Sequence, residues 1–273
     1  MSAWSSAVLS ACVWHDRVVV GLSDGVRIAD GPGETWRPLD GPWAAASLVS
    51  LVAPCVERLL VATTGALHLH DDAAGSWTTA PLILPSTIVT SFAAIDKRTA
   101  LIGTLEDGVF RTTDGGQTWL PANAGLIDPS VTSLAAHGDL AIVGTSTGAY
   151  VSSNGGRTWR DLDRAAGEVA SVALRADDRV VWLLRASGEL VRTDPVTNAR
   201  TVVASGLDEP VALAADGRDV ILATASQVLR SRDDGRTWEP CADRSETPFA
   251  ALACTDFAVT VAGEILPITR GRM

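Results

Sequence analysis

The eight residues Thr112-Thr113-Asp114-Gly115-Gly116-Gln117-Thr118-Trp119 recur as Ser152-Ser153-Asn154-Gly155-Gly156-Arg157-Thr158-Trp159 and as Ser231-Arg232-Asp233-Asp234-Gly235-Arg236-Thr237-Trp238. Their tryptophans belong to a longer series. Trp36, Trp77, Trp119, Trp159 and Trp238 stand 41, 42, 40 and 79 residues apart. The last gap is two periods with one worn copy, whose tryptophan position falls at Arg200. Within each unit, short apolar runs are broken by Gly, Asp, Thr and Ser, and helix-period stripes are absent. A period of about 40 residues made only of short strands predicts the blades of a β-propeller.

Each unit reads as four strands, A to D. Strand A is small and apolar and recurs seven times, from Val8–Val13 to Phe249–Cys254. Strand B is an apolar run closing in a small residue or threonine, as at Thr63, Thr104, Thr145 and Thr224. Tight turns containing glycine follow, such as Asp24-Gly25 and Asp107-Gly108, and fit hairpins that need positive φ. Strand C leads into the recurrent turn and the tryptophan opens strand D. The seventh unit ends after strand C, so its outer strand is expected from Met1–Ala7, with Trp4 in the tryptophan position. The expected architecture is one all-β domain over residues 1–273: a seven-bladed β-propeller whose blade at 249–273 is completed by residues 1–7. Such closure removes an open sheet edge.

The pattern S/T-x-D/N-x-G-x-T-W resembles the Asp-box (BNR) repeat of sialidase-like and photosystem-assembly-factor-like β-propellers. In this reading Asp30, Asp72, Asp114, Asn154, Asp194 and Asp233 bind backbone amides in the C–D turns. Trp36, Trp77, Trp119, Trp159 and Trp238 bury their rings between sheets. All are read as structural. The resemblance implies a fold and no single activity, because enzymes, receptors and assembly factors share the repeat.

Composition narrows the partner classes. The chain of 273 residues has a formal charge of -10, which disfavours nucleic acid and anionic membrane and is compatible with a basic partner. Residues 1–6 show no basic segment followed by an apolar one, and no apolar run nears the roughly 18 residues that span a bilayer, so a soluble cytoplasmic protein is expected. Cys12, Cys55, Cys241 and Cys254 lie far apart without C-x-x-C spacing, so buried free thiols are expected.

Few residues suggest catalysis. His68, His70 and Asp72 alternate along one strand with a spacing that zinc sites use. In the repeat, however, His68 takes the inter-sheet slot of Phe110, Tyr150 and Leu229, while His70 and Asp72 take ordinary turn positions. No metal, cofactor or catalytic residue is assigned. A sialidase needs a tyrosine nucleophile, an arginine cluster and an F/Y-R-I-P segment. The nearest strand is Val26-Arg27-Ile28-Ala29, and the one tyrosine, Tyr150, sits in a packing slot.

Recognition is therefore assigned to the variable D–A and B–C loops. The apolar D–A loops at 80–85 and 124–129 place Leu82, Ile83, Leu84, Leu126 and Ile127 beside the B–C turn Leu105-Glu106-Asp107, and Trp43 extends the patch. Arg185 replaces the recurrent threonine, as an anion contact or as the partner of Glu189 or Glu168. The expected function is a non-catalytic scaffold or sensor in a bacterial assembly, binding a protein through this face. The alternatives are a glycosidase-like hydrolase with an acidic central pocket and a carbohydrate-binding propeller.

Overall fold

The computed structural model describes residues 6–44, 47–55, 58–82, 87–164, 167–175, 177, 179–243, 245–253 and 255–268. Every element among them is a β-strand. Strands that follow one another in the chain pair antiparallel, giving six four-stranded sheets and a last sheet of three described strands. The inner strands are Val8–Trp14, Val49–Cys55, Val89–Ala94, Val131–His137, Val169–Arg175, Pro210–Asp216 and Phe249–Ala253. Each lies against the inner strand of the next sheet, and the seventh lies against the first. The sheets are thus the seven blades of a closed propeller. The expected outer strand at 1–7 falls almost entirely outside the described residues. Of it, the Ala7 carbonyl accepts the Ser23 N–H at 3.1 Å, and the Ala7 N–H donates to Ser23 Oγ at 3.2 Å.

Small inner residues follow from this convergence. The first residue of each inner strand precedes a bulge, as between Val131 and Ser133. In three blades a glycine of the second strand, Gly21, Gly103 or Gly144, makes room for the first inner-strand residue of the next blade. A Cβ on Gly103 would stand 2.3 Å from Val131 Cγ1, and one on Gly144 would stand 2.9 Å from Val169 Cγ1. Serines then bracket neighbouring blades. Ser10 Oγ accepts the Val52 N–H at 2.9 Å, Ser133 Oγ that of Val172 at 3.0 Å, and Ser171 Oγ that of Leu213 at 3.0 Å.

The apolar cores lie between the blades. Leu67, Leu69 and Ala80 of blade 2 meet Ile102, Phe110 and Trp119 of blade 3. The same construction joins the ends of the chain, where Val18, Val20 and Leu22 of blade 1 pack with Val259 and Ile265 of blade 7. Trp36 covers that seam and donates its indole N–H to the Gly263 carbonyl at 2.7 Å. Between blades 4 and 5 the core contains Leu140, Ile142, Leu162 and Leu183 and no tryptophan. Cys12, Cys55 and Cys241 are buried, and burial pushes the Cys241 thiol up to about 11.

Candidate partner-binding face

The hydrogen bonds sort the loops onto two faces. On one, B–C turns bond to D–A loops: Gly108 N–H to the Pro129 carbonyl at 3.0 Å, and Ala225 N–H to the Glu209 carbonyl at 3.0 Å. On the other, C–D turns bond to A–B turns, as Gly115 N–H does to the Arg98 carbonyl at 2.9 Å.

The turn face spends its recurrent residues on itself. Asp114 accepts the N–H groups of Gln117 at 2.9 Å and Thr118 at 3.0 Å, together with the Thr118 hydroxyl at 2.6 Å. Thr112 Oγ1 accepts the Gly116 N–H at 3.0 Å. Asn154 repeats the arrangement with Arg157 and Thr158, and Asp233 with Thr237. Asp194 holds the amides of Val196 at 2.7 Å and Thr197 at 3.1 Å although its turn lacks glycine and tryptophan. Two assignments need correction. In blade 2 it is Asp71, not Asp72, that caps the turn, accepting the Ala74 N–H at 3.1 Å. Asp71 can do so because the strand runs on to Asp71, which leaves Asp72 beyond it, 3.9 Å from His15 and 4.0 Å from His70. In blade 1 Asp30 pairs with the Arg37 guanidinium at 3.1 Å, the turn being one residue longer.

These clamps predict acid sensitivity. Burial works against the Asp114 charge, but its hydrogen bonds from Thr118, Thr112 and Gln117 outweigh that and hold the carboxyl at about 2, against 3.8 ordinarily. Asp194 and Asp233 are also held low by their hydrogen bonds. A carboxyl depressed in the folded state stabilises it fully above the unfolded value and loses that contribution as pH falls through the folded one. Melting temperature should therefore hold near neutrality and drop as pH falls from about 4 to 2. Asp114→Asn, which keeps the acceptor as Asn154 does, should fold and flatten that drop. An identical acid profile for the variant would remove Asp114 from the cause.

On the loop face the expected patch divides. Leu82 is 6% exposed and belongs to the core between blades 2 and 3. Its N–H bonds to the Gly65 carbonyl at 2.9 Å, which turns the side chain inward, so it is not a surface residue. Trp43 packs edge-on against Trp77, with ring centroids 5.0 Å apart, and lies 5.5 Å from the ring of His68. Leu126 is half-buried beside the core that holds Trp159. Asp107 accepts the Thr87 hydroxyl at 2.7 Å. Ile83 and Leu84 lie outside the described residues. Ile127, 68% exposed, and Leu105, 45% exposed, remain at the surface with Glu106.

Arg185 does not offer its charge to the face. Its guanidinium lies 2.6 Å from Asp163 and 2.5 Å from Glu189. Burial disfavours the Arg185 charge, but the two carboxylates overcome it and raise the pKa above its usual value. His68 lies 3.0 Å through Nε2 from Thr63 Oγ1 and 3.0 Å through Nδ1 from Thr79 Oγ1, and burial lowers its pKa. His70 instead packs edge-on against Trp14 and at a tilt against Trp77. Among the described residues no group of His, Cys, Asp or Glu is placed to hold a metal ion.

A feature of the face escaped sequence reading because it appears only when loops are sorted by face. Exposed carboxylates come from around the ring: Asp24, Glu106, Glu168, Asp208, Glu246 and Glu264. The described residues of its D–A and B–C loops include no Lys or Arg. The opposite turns carry Lys97, Arg98, Arg157, Arg179, Arg218 and Arg236, all exposed. Those turns also expose Asp16, Glu34, Asp96, Asp139, Asp177 and Asp216, so both signs are mixed there, whereas the described loops of the other face carry carboxylates alone.

No protein-family model matches the chain, and no curated protein matches it in sequence. Solved structures match it in shape. The extracellular domain of the putative hybrid two component system BT4673 from B. thetaiotaomicron is 16% identical with a TM-score of 0.78, the match covering 100% of this chain and 39% of that one. The chain thus spans about two fifths of the length of that domain. YCF48 bound to D1 peptide is 18% identical with a TM-score of 0.75, over 97% of this chain and 94% of the other. A chain of the mitotic checkpoint complex is 11% identical with a TM-score of 0.75, over 96% of this chain and 86% of that one. At these identities the likeness is one of fold, and the fold of this chain is the seven-bladed β-propeller.

Proposed function

We propose that this propeller is a non-catalytic scaffold that binds a cationic protein segment across its loop face. The observation that carries the reading is that the described D–A and B–C loops expose carboxylates and no Lys or Arg, while the turn face mixes both signs. Carboxylates around the ring, with no cation among the described loop residues, raise the local concentration of Lys- and Arg-bearing partners and orient their approach. Ile127 and Leu105 stand exposed within that field and supply apolar contacts, where most of the affinity of an interface resides. The recurrent residues of the opposite face are occupied in their own turns. YCF48, which shares the fold, is seen with a bound peptide, and this supports a protein ligand without naming one.

Panning a random peptide display library against the immobilised protein tests the reading. Enriched peptides should carry Lys or Arg next to an apolar side chain and should weaken as salt is raised. They should bind Leu105→Asp/Ile127→Asp about tenfold or more weakly, the size expected for loss of an apolar anchor. Peptides no more basic than the starting library, or indifferent to the double substitution, would falsify the proposal.

A further inference from the structure

The outer strands of a propeller are open sheet edges, and proteins guard such edges with short length, proline, charge or a bulge. Five of the six outer strands among the described residues are guarded. Arg37–Pro38, Leu120–Pro121 and Glu239–Pro240 are two residues long and end in proline. Arg160–Arg164 alternates charged residues and carries a register shift against its neighbour. Arg200–Ala204 opens on an arginine and is also shifted in register. The outer strand of blade 2, Ser76–Pro81, differs. It is six residues long and uncharged, and its pairing is regular from Asp71↔Ser76 to Ala66↔Pro81. Proline comes only at its last position. Ser76, Thr78, Thr79 and Pro81 are exposed, and among the described residues no strand pairs with its outer side.

We infer that Ser76–Pro81 is a homodimer edge, pairing antiparallel with the same strand of a second copy about a two-fold axis at Thr78, so that the outward-facing backbone groups of Trp77 and Thr79 make the hydrogen bonds. The strand is complementary to itself in that register. Thr78 of one copy stands opposite Thr78 of the other, Trp77 opposite Thr79, and Ser76 opposite Ala80. Threonine pairs across strands are favourable, and no like charges meet. The same operation on Arg160–Arg164 sets Arg160 against Arg164 and Asp161 against Asp163, which is repulsive. A two-fold contact consumes both edges and closes, so it yields dimers and not fibres. The result is one eight-stranded sheet running through two propellers. Edge pairing alone buries little, below roughly 1,200 Å², so the dimer is expected to be weak and concentration-dependent.

Sedimentation velocity from low micromolar to near-millimolar protein tests this. The wild type should shift from monomer to dimer across that range, with slower hydrogen exchange at residues 76–80 as dimer forms. Thr78→Lys places a guard at the centre of the pairing on an exposed position and should raise the dissociation constant at least about tenfold. Thr201→Lys, on the outer strand of blade 5, should leave dimerisation unchanged. The inference is overturned by a wild type monomeric throughout, by unchanged exchange at 76–80 in a dimer, or by Thr78→Lys or Thr201→Lys behaving like the other.

Discussion

Trp159→Ala should cost about 3–5 kcal/mol of folding stability, a loss typical of a buried tryptophan. The ring is 5% exposed and sits in the core between blades 3 and 4 with Leu101, Val109, Val131 and Tyr150. Its indole N–H donates to the Ala122 carbonyl at 2.7 Å, and its backbone N–H donates to the Ala124 carbonyl at 2.8 Å. The loop of the preceding blade is shaped around it: a Cβ on Gly125, whose φ is +88°, would stand 2.0 Å from the Trp159 carbonyl oxygen. Truncation therefore opens a cavity between two sheets and leaves a carbonyl without its donor. Among the described residues blades 3 and 4 share no strand pairing, so little else can compensate. Trp159→Phe keeps much of the ring and loses the donor, and should cost less. Urea unfolding measures both, and a loss below about 1 kcal/mol for the alanine variant would refute the wedge role.

The same reasoning explains what a reader of the sequence can and cannot see. The recurrent turn closes on itself within five residues, from Asp114 to Thr118, so its chemistry is written in consecutive letters. The period follows, and with it the blades. The candidate face is assembled from loops that lie about forty residues apart in the chain, and no window of sequence contains it. Leu82 and Ile127 occupy similar apolar loops. Leu82 continues the strand pairing through its N–H bond to Gly65 and enters the core between blades 2 and 3, while Ile127 stays outside, a difference that the letters alone do not carry. Asp71 and Asp72 are adjacent carboxylates, and which of them caps the turn depends on where the strand ends, a boundary that repeat alignment misplaces by one residue. Arg200 could be assigned to the tryptophan position by counting. Its partner could not, because Asp163 belongs to the preceding blade.

That pairing sets the second large expectation. Asp163→Ala should cost about 3–5 kcal/mol, as removal of one partner from a buried ion pair does. Asp163 is 1% exposed and lies between Arg200 and Arg185, the latter at 2.6 Å. With the carboxylate gone, Arg185 remains largely desolvated and holds only Glu189, itself 36% exposed. Arg200, 49% exposed, can turn to water, so Arg200→Ala should cost about 1 kcal/mol or less. The ion pairs stand where five other blade interfaces have a tryptophan, and Asp163 aligns with Asn123. Rebuilding that arrangement with Asp163→Asn, Arg185→Thr and Arg200→Trp together should recover most of the loss. Well-packed replacements of whole buried ion networks are often neutral or stabilising, whereas single removals are not. The three changes share one site, so their effects should be strongly non-additive. Equal costs for Asp163→Ala and Arg200→Ala, or a triple variant as weak as Asp163→Ala alone, would show that the carboxylate does not hold the fourth and fifth blades together.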